Sequence, residues 1–162
     1  MKILVADGVS PKGIEILQKA GFETVIKDKL PAEELLEIIP DFDGLIVRSA
    51  SKVTKEVIER AKKLKIVGRA GVGTDNIDIN AATAHGIMVI NSPGGNTIAA
   101  TEHTMGMMMA MARNIAVANE TMQHGEWNRK KYTGVELRGK TLGVIGLGRI
   151  GSGVATRALA FD

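Results

Sequence analysis

Residues 141–151 read Thr-Leu-Gly-Val-Ile-Gly-Leu-Gly-Arg-Ile-Gly, and this stretch decides the predicted fold of the carboxyl-terminal part of the chain. Its first five residues are a short apolar run, which predicts a buried strand. Gly146, Gly148 and Gly151 then form the pattern G-x-G-x-x-G, and residues 152–161 predict a helix. A strand, a glycine turn and a helix in this order are the context in which the pattern indicates a dinucleotide-binding turn.

The three glycines of such a turn have different physical purposes. They allow a tight turn, a close approach of the backbone to a pyrophosphate, and close packing of the helix against the strand. A complete unit also has an acidic residue about 20 positions further on, which binds the ribose. Only eleven residues follow Gly151 in the 162-residue sequence. We therefore expect that acid to lie beyond residue 162, and the chain to be a piece of a longer protein.

Upstream of this turn, residues 1–98 alternate short apolar runs with amphipathic segments. Alternation of this kind predicts a parallel β-sheet covered by helices on both faces. Because crossover connections are right-handed, the predicted architecture is an α/β, flavodoxin-like sandwich. The predicted strands are residues 3–6, 24–26, 45–47, 66–67 and 87–90, and the predicted helices are residues 11–20, 31–39, 55–63 and 77–85.

A long, methionine-rich segment joins these two parts. Residues 98–122 predict one helix that is apolar around most of its circumference in its first half, so we expect it to be buried between domains or between subunits. Its methionines suit adaptable packing better than metal binding, because no histidine or cysteine partners accompany them. Residues 125–139, with Trp127, predict a surface arm. The methionines are Met105, Met107, Met108, Met109, Met111 and Met122.

Composition excludes several classes of protein. The net charge of +3, from 21 basic and 18 acidic residues, and the five aromatic residues argue against a nucleic-acid-binding surface. No cysteine is present, which excludes disulfides and thiolate metal sites. The three histidines lack the spacing of metal ligands. No apolar run reaches the roughly 18 residues of a membrane span, so we expect a cytoplasmic protein.

Candidate binding residues follow the predicted strands, because ligands of open parallel sheets bind outside the carboxyl ends of the strands. Arg48 and Ser49 follow the third strand, Arg69 and Gly71 follow the fourth, and a loop ending at Asn96 follows the fifth. Arginine side chains and the backbone N–H groups of glycine-rich loops both bind anions. These residues therefore predict a site for a small anionic substrate at the carboxyl ends of the strands. The alternatives are that each arginine is an ordinary surface residue and that Asn96 only caps the helix after it.

Four segments resemble the D-2-hydroxyacid dehydrogenases. They are Gly44-Leu-Ile-Val-Arg-Ser49, Val67-Gly-Arg-Ala-Gly-Val-Gly-Thr-Asp-Asn-Ile-Asp78, Asn91-Ser-Pro-Gly-Gly-Asn-Thr97 and Gly146-Leu-Gly-Arg-Ile-Gly151. The resemblance implies a substrate (lid) domain over residues 1–98. It further implies that residues 99–162 are the linking helix, the arm and an incomplete, Rossmann-type NAD-binding domain. The implied activity is hydride transfer from a phosphorylated 2-hydroxy acid to NAD.

The resemblance also implies roles for individual residues. Arg48 and Ser49 match positions that contact the substrate phosphate, and Arg69 matches a second contact to an anionic group. Gly71 matches a position whose backbone binds the substrate carboxylate, and Asn96 matches an asparagine on the substrate side of the cleft. On the cofactor side, the matched residues are Val72 near the nicotinamide and Gly146, Gly148, Arg149, Ile150 and Gly151 at the pyrophosphate.

The family's catalytic arginine and its histidine–glutamate pair match no residue of this chain. His103 and Glu102 are not substitutes, because they lie on the linking helix. In this family the helix and the Trp127 arm lie near a subunit contact, so the resemblance also implies a homo-oligomer. We expect the chain alone to be inactive.

Three alternatives differ in function. A lid-like domain could act alone as an anion-binding or partner-binding module. A phospho-receiver domain of the same sandwich class is rejected, because Asp7 has no acidic neighbour after the first strand and the third strand ends in Arg48. Within the family, substrates such as glyoxylate or lactate remain possible, since the paired arginines only favour a phosphorylated one.

Overall fold

The computed structural model describes every residue from Met1 to Asp162. The chain forms two compact units, which we call the amino-terminal unit, Met1–Gly95, and the carboxyl-terminal unit, Asn96–Asp162. The prediction that residues 1–98 and 99–162 are a substrate domain and a cofactor domain stays a prediction about function.

The amino-terminal unit contains one parallel sheet of five strands in the order β2-β1-β3-β4-β5. This order confirms the predicted flavodoxin-like architecture. The strands are β1 (Lys2–Val5), β2 (Glu23–Ile26), β3 (Gly44–Val47), β4 (Ile66–Arg69) and β5 (Met88–Asn91). The helices between them are α1 (Pro11–Lys19), α2 (Ala32–Ile38) with a 3-10 turn at Ile39–Asp41, α3 (Lys55–Arg60) and α4 (Ile79–Ala84).

The core of this unit lies on one face of the sheet. Leu4, Leu45 and Val67 are fully buried and lie side by side in the strand register. They pack with apolar residues of α2, α3 and α4, including Leu35 and Ile58. The opposite face is covered only in part, because Val5 there is buried whereas Ile90 is 49% exposed.

Side-chain caps explain where three of these helices begin. Ser10, Thr54 and Asp78 each accept a hydrogen bond from the backbone N–H three residues later, at the starts of α1, α3 and α4. Such caps satisfy amide groups that have no partner within the helix.

The carboxyl-terminal unit corrects the prediction of one long helix over residues 98–122. Two helices are present, α5 (Thr97–Ala112) and α6 (Ile115–Gln123). The break lies at Asn114, whose φ of 53° is in the left-handed region that asparagine adopts more readily than most residues. A third helix, α7 (Arg149–Ala158), follows the glycine turn, and a 3-10 turn at Leu159–Phe161 follows it.

The predicted strand at residues 141–145 is wrong, because this segment forms no strand. A strand is stabilised by hydrogen bonds to a neighbouring strand, and the carboxyl-terminal unit contains no strand that could pair with it. Ile145 is consequently fully exposed, with a relative exposure of 105%.

No helix of the chain is both long and apolar enough to span a bilayer.

Candidate functional site

Three strands of the amino-terminal unit bring the candidate anion-binding residues to one edge of the sheet. In the register, Val5 of β1 pairs with Ile46 of β3, and Val47 of β3 pairs with Arg69 of β4. Asp7, Arg48 and Arg69 therefore lie at or just beyond the carboxyl ends of neighbouring strands. This edge is where parallel α/β sheets bind their ligands.

Asp7 anchors the loop that follows β3. Its side chain is buried, with the residue 4% exposed. Its Oδ2 accepts hydrogen bonds from the backbone N–H of Arg48 at 2.6 Å and of Ser51 at 3.1 Å, and its Oδ1 accepts one from the Ser51 hydroxyl at 2.8 Å. Burial alone would raise the pKa of Asp7, but these hydrogen bonds outweigh burial and hold the pKa below its ordinary value.

Asn76 connects the same loop to the end of β4. Its Nδ2 donates to the backbone oxygens of Arg48 at 2.7 Å and of Ser51 at 2.6 Å. Its Oδ1 accepts from the Nε of Arg69 at 3.0 Å. One amide side chain thus contacts both arginine-bearing segments.

Neither arginine at this edge lies within salt-bridge distance of a carboxylate; the ion pairs of the chain lie elsewhere. The Arg48 side chain is exposed and donates from Nη1 to the carbonyl of Gly8 at 3.3 Å. Arg48 and Ser49 line a pocket together with Asp7, Gly8, Asp28, Lys29 and Ala50, so two carboxylates share this pocket with two cations. The two guanidinium groups, which no carboxylate pairs with, are the groups of this edge that an anion could bind.

The loop after β4 carries Gly71 and Val72. A Cβ on Gly71 would lie 2.5 Å from Nη1 of Arg69, so only glycine leaves room for this guanidinium position. The N–H of Gly71 donates to the carbonyl of Arg69 at 2.8 Å, which makes it part of the turn in this structure. Val72 is 37% exposed, and its carbonyl accepts from the side-chain amide of Asn91 at 2.6 Å.

Asn96 belongs to the carboxyl-terminal unit, while the other four predicted substrate residues belong to the amino-terminal unit. It directly precedes α5, at the cap position, but its side chain makes no capping hydrogen bond. The interpretation of Asn96 as a side-chain cap is therefore wrong.

The glycine turn in the carboxyl-terminal unit has the backbone that its sequence predicts. Gly146 has φ of +91°, which L side chains rarely adopt, and Gly148 immediately precedes α7. A Cβ on Gly151 would clash with the carbonyl oxygen of Gly146, so the turn closes directly on the first turn of the helix. A Cβ on Gly148 would meet no atom within 4 Å. The turn thus offers an open backbone approach at a helix N-terminus, and this geometry fits a pyrophosphate. Arg149 and Ile150 are the first two residues of that helix.

The sequence places Asp7 after the first strand and Asn76 in the loop after the fourth, but sequence reasoning assigned neither residue a role at this edge. Asp7 directly follows an apolar strand, and a carboxylate one residue beyond a buried strand is a signal that could have identified it. Asn76 gave no comparable signal, because its part depends on the orientation of its side chain. No three His, Cys, Asp or Glu side chains cluster so as to hold a metal ion.

The model of the family described as D-isomer specific 2-hydroxyacid dehydrogenase, catalytic domain, matches residues 3–158. The chain belongs to this family. The resemblance of the four quoted segments is thereby confirmed. Solved structures of dehydrogenases from the family superpose on the chain, including NAD⁺-bound 3-phosphoglycerate dehydrogenase of Entamoeba histolytica. That structure is 37% identical with a TM-score of 0.78, over 99% of this chain and 51% of that chain.

Two curated relatives of this dehydrogenase family are more similar in sequence. D-3-phosphoglycerate dehydrogenase of Archaeoglobus fulgidus is 52% identical over 162 residues, which are 100% of this chain and 31% of that protein. The enzyme of the same name from Methanocaldococcus jannaschii is 55% identical over 161 residues, 99% of this chain and 30% of that protein. The chain thus spans about a third of the length of these relatives.

Proposed function

We propose that this chain is part of an NAD-dependent D-3-phosphoglycerate dehydrogenase of serine biosynthesis, and that it supplies the phosphate-binding edge of the substrate site. The reaction would transfer a hydride from the carbon that bears the hydroxyl of 3-phosphoglycerate to NAD, while the hydroxyl loses its proton and the carbon becomes that of a ketone. The observation that carries the proposal is the pair of arginines, Arg48 and Arg69, at neighbouring strand ends. The names of the relatives at 52% and 55% identity support the same substrate.

The roles of the substrate residues follow from their positions and charges. Arg48 and Ser49 would bind the phosphate, and the Arg69 guanidinium would bind a second anionic group of the same ligand. We keep Gly71 as a backbone contact to the carboxylate, although its N–H must leave the Arg69 carbonyl to donate there. Asn96 remains a proposed substrate contact.

The cofactor residues are proposed in the same way. Gly146, Gly148 and Gly151 would form the turn around the pyrophosphate of NAD, Arg149 and Ile150 would contact it at the start of α7, and Val72 would lie near the nicotinamide. Bound NAD would supply the hydride acceptor. Because we assign no catalytic residue in this chain, we expect no NADH to form when residues 1–162 are mixed with 3-phosphoglycerate and NAD.

Calorimetric titration with 3-phosphoglycerate tests the substrate site. Arg48→Ala is expected to weaken binding about tenfold or more, because a hydrogen-bonded charge pair contributes on the order of 1.5–3 kcal/mol. Lys12→Ala serves as the control, since it removes an exposed positive charge from α1 and is expected to leave the affinity unchanged. Equal binding by the wild-type chain and Arg48→Ala would contradict the proposal.

A non-catalytic anion-binding module is the second candidate. It is favoured by the amino-terminal unit, which has its own sheet, its own core and the whole arginine edge. Binding of 3-phosphoglycerate that is unchanged by NAD would support this candidate. Lactate or glyoxylate binding as tightly as 3-phosphoglycerate would instead indicate another substrate of the family.

We further propose that the protein is a homo-oligomer through an apolar surface of the carboxyl-terminal unit. Met107, Met109 and Met111 of α5 are 60%, 43% and 78% exposed, and Trp127 is 72% exposed. Large exposed apolar side chains in one segment are typical of protein contact surfaces. Light scattering is expected to give at least a dimer for the wild-type chain and a lower mass for Met111→Glu. A wild-type monomer at high concentration would contradict this.

A further inference from the structure

The Asn76 side chain uses all of its polar groups at the arginine edge. Its two N–H groups face the backbone oxygens of Arg48 and Ser51, and its oxygen faces the Nε of Arg69. Asp7 contacts the backbone N–H groups of the same two loop residues. The N–H and the C=O of both Arg48 and Ser51 are therefore held by side chains from other segments.

The contact of Asn76 with Arg69 also determines which N–H groups of the Arg69 guanidinium remain to bind an anion. Because Nε donates to Asn76, the side of the fork that includes Nε is occupied. The two terminal Nη groups remain, above the Cα of Gly71, where a side chain would come within 2.5 Å of Nη1. An anion can then be bound end-on by two parallel N–H groups, a geometry that matches carboxylate or phosphate.

We propose that Asn76 is a positioning residue, which fixes the Arg48 loop and the Arg69 guanidinium relative to each other so that the site prefers a ligand with two anionic groups. This inference rests on the anion-binding site proposed above. Its physical basis is that positioning charged groups in advance lowers the entropy lost on binding. A ligand with one anionic group needs only one arginine and gains little from their fixed separation.

Calorimetric titration with two probes separates these cases. Asn76→Ala is expected to lower the affinity for 3-phosphoglycerate about tenfold, as the loss of a charged hydrogen bond does. It is expected to lower the affinity for inorganic phosphate about twofold or less, because phosphate needs only one of the two arginines. Asn80→Ala, which removes an exposed amide from α4, is the matched control and is expected to change neither affinity. An equal loss for both probes would overturn the positioning role.

A double-mutant cycle tests whether Asn76 acts through Arg69. In an Arg69→Ala background, Asn76→Ala is expected to weaken 3-phosphoglycerate binding much less than it does in the wild-type chain, because the guanidinium it orients is gone. The same loss in both backgrounds would overturn the coupling. If Asn76→Ala weakened binding only by loosening the fold, its effect on the affinity would simply add to that of Arg69→Ala.

A measurement on the wild-type chain covers the case in which Asn76→Ala does not fold. The Nε–H of Arg69 is expected to exchange slowly with solvent in nuclear magnetic resonance spectra, while that of the exposed Arg48 exchanges fast. Fast exchange at Arg69 would overturn the inference.

The outcomes also separate this inference from the proposed function. No binding of 3-phosphoglycerate by the wild-type chain would overturn the anion site and the inference together. Binding that Arg48→Ala abolishes and Asn76→Ala preserves would overturn the inference alone.

Discussion

β1 and residues 141–145 are both short, mostly apolar runs, but they have different structures. Lys-Ile-Leu-Val forms a strand between β2 and β3, with Leu4 fully buried, whereas Thr-Leu-Gly-Val-Ile forms no strand and leaves Ile145 fully exposed. Gly143 lowers the strand preference of the second run, but glycine alone does not prevent a strand, because β4 forms with Gly68 inside it. The difference is that β1 has neighbours on both sides. Strand formation in this chain is therefore a property of the sheet rather than of the segment.

The largest expected effect comes from truncating one side chain in each region. Leu4→Ala in β1 is expected to lower the free energy of unfolding by about 2–5 kcal/mol, because it opens a cavity at a fully buried position. Ile145→Ala is expected to change it by less than about 0.5 kcal/mol, because its side chain lies in solvent. Urea unfolding monitored by circular dichroism measures both. Equal costs for the two variants would show that residues 141–145 pack as β1 does.

The next comparison is between a buried and an exposed carboxylate within the amino-terminal unit. Asp7→Asn is expected to cost about 1–3 kcal/mol at neutral pH, because a neutral amide oxygen replaces the charged acceptor of two backbone N–H groups and the amide N–H₂ takes the place that now accepts from the Ser51 hydroxyl. Asp41→Asn, at an exposed aspartate that pairs with Lys63 at 3.6 Å, is expected to cost less than about 0.5 kcal/mol.

The pH dependence of the Asp7 contribution has a definite sign. The folded pKa lies below the unfolded value of about 3.9, so the contribution is complete above that pH and is lost as the pH falls through the folded pKa. Unfolding curves measured from pH 7 down to acid conditions are expected to converge for the wild-type chain and Asp7→Asn. A constant difference between them would contradict the assigned cause.

The smallest expected effects concern the carboxyl-terminal unit, which is held together by helix packing instead of a sheet. A Cβ on Gly153 of α7 would lie 2.7 Å from Oγ1 of the buried Thr101, so Gly153→Ala is expected to destabilise by about 1–2 kcal/mol. A Cβ on Gly106 of α5 would meet no atom within 4 Å. Gly106→Ala is therefore expected to raise the free energy of unfolding by about 0.5–1 kcal/mol. Thermal unfolding measures both, and shifts of the same sign would contradict the close approach of α5 and α7.

The sequence predicted most of the amino-terminal unit, because its strands and helices differ in apolar period and each strand finds a partner. It failed at Asn114, where the helix breaks at one residue in the left-handed region and neither proline nor glycine marks the break. It failed at residues 141–145, where the outcome depends on strands that the unit does not contain. At the candidate site, chain position identified Arg48 and Arg69, but the contacts of Asp7 and Asn76 depend on side-chain orientations that periodicity does not encode.

Asp7 holds backbone groups of the loop after β3, and this has a consequence for how the protein can evolve. The loop keeps its shape through the N–H groups of residues 48 and 51, which every amino acid except proline provides. The side chains at positions 48, 49 and 50 are exposed and do not contribute to that anchoring. At the proposed anion site, we therefore expect substitutions there to change which anion is preferred while the loop keeps its shape, so that new preferences would be accessible by single mutations.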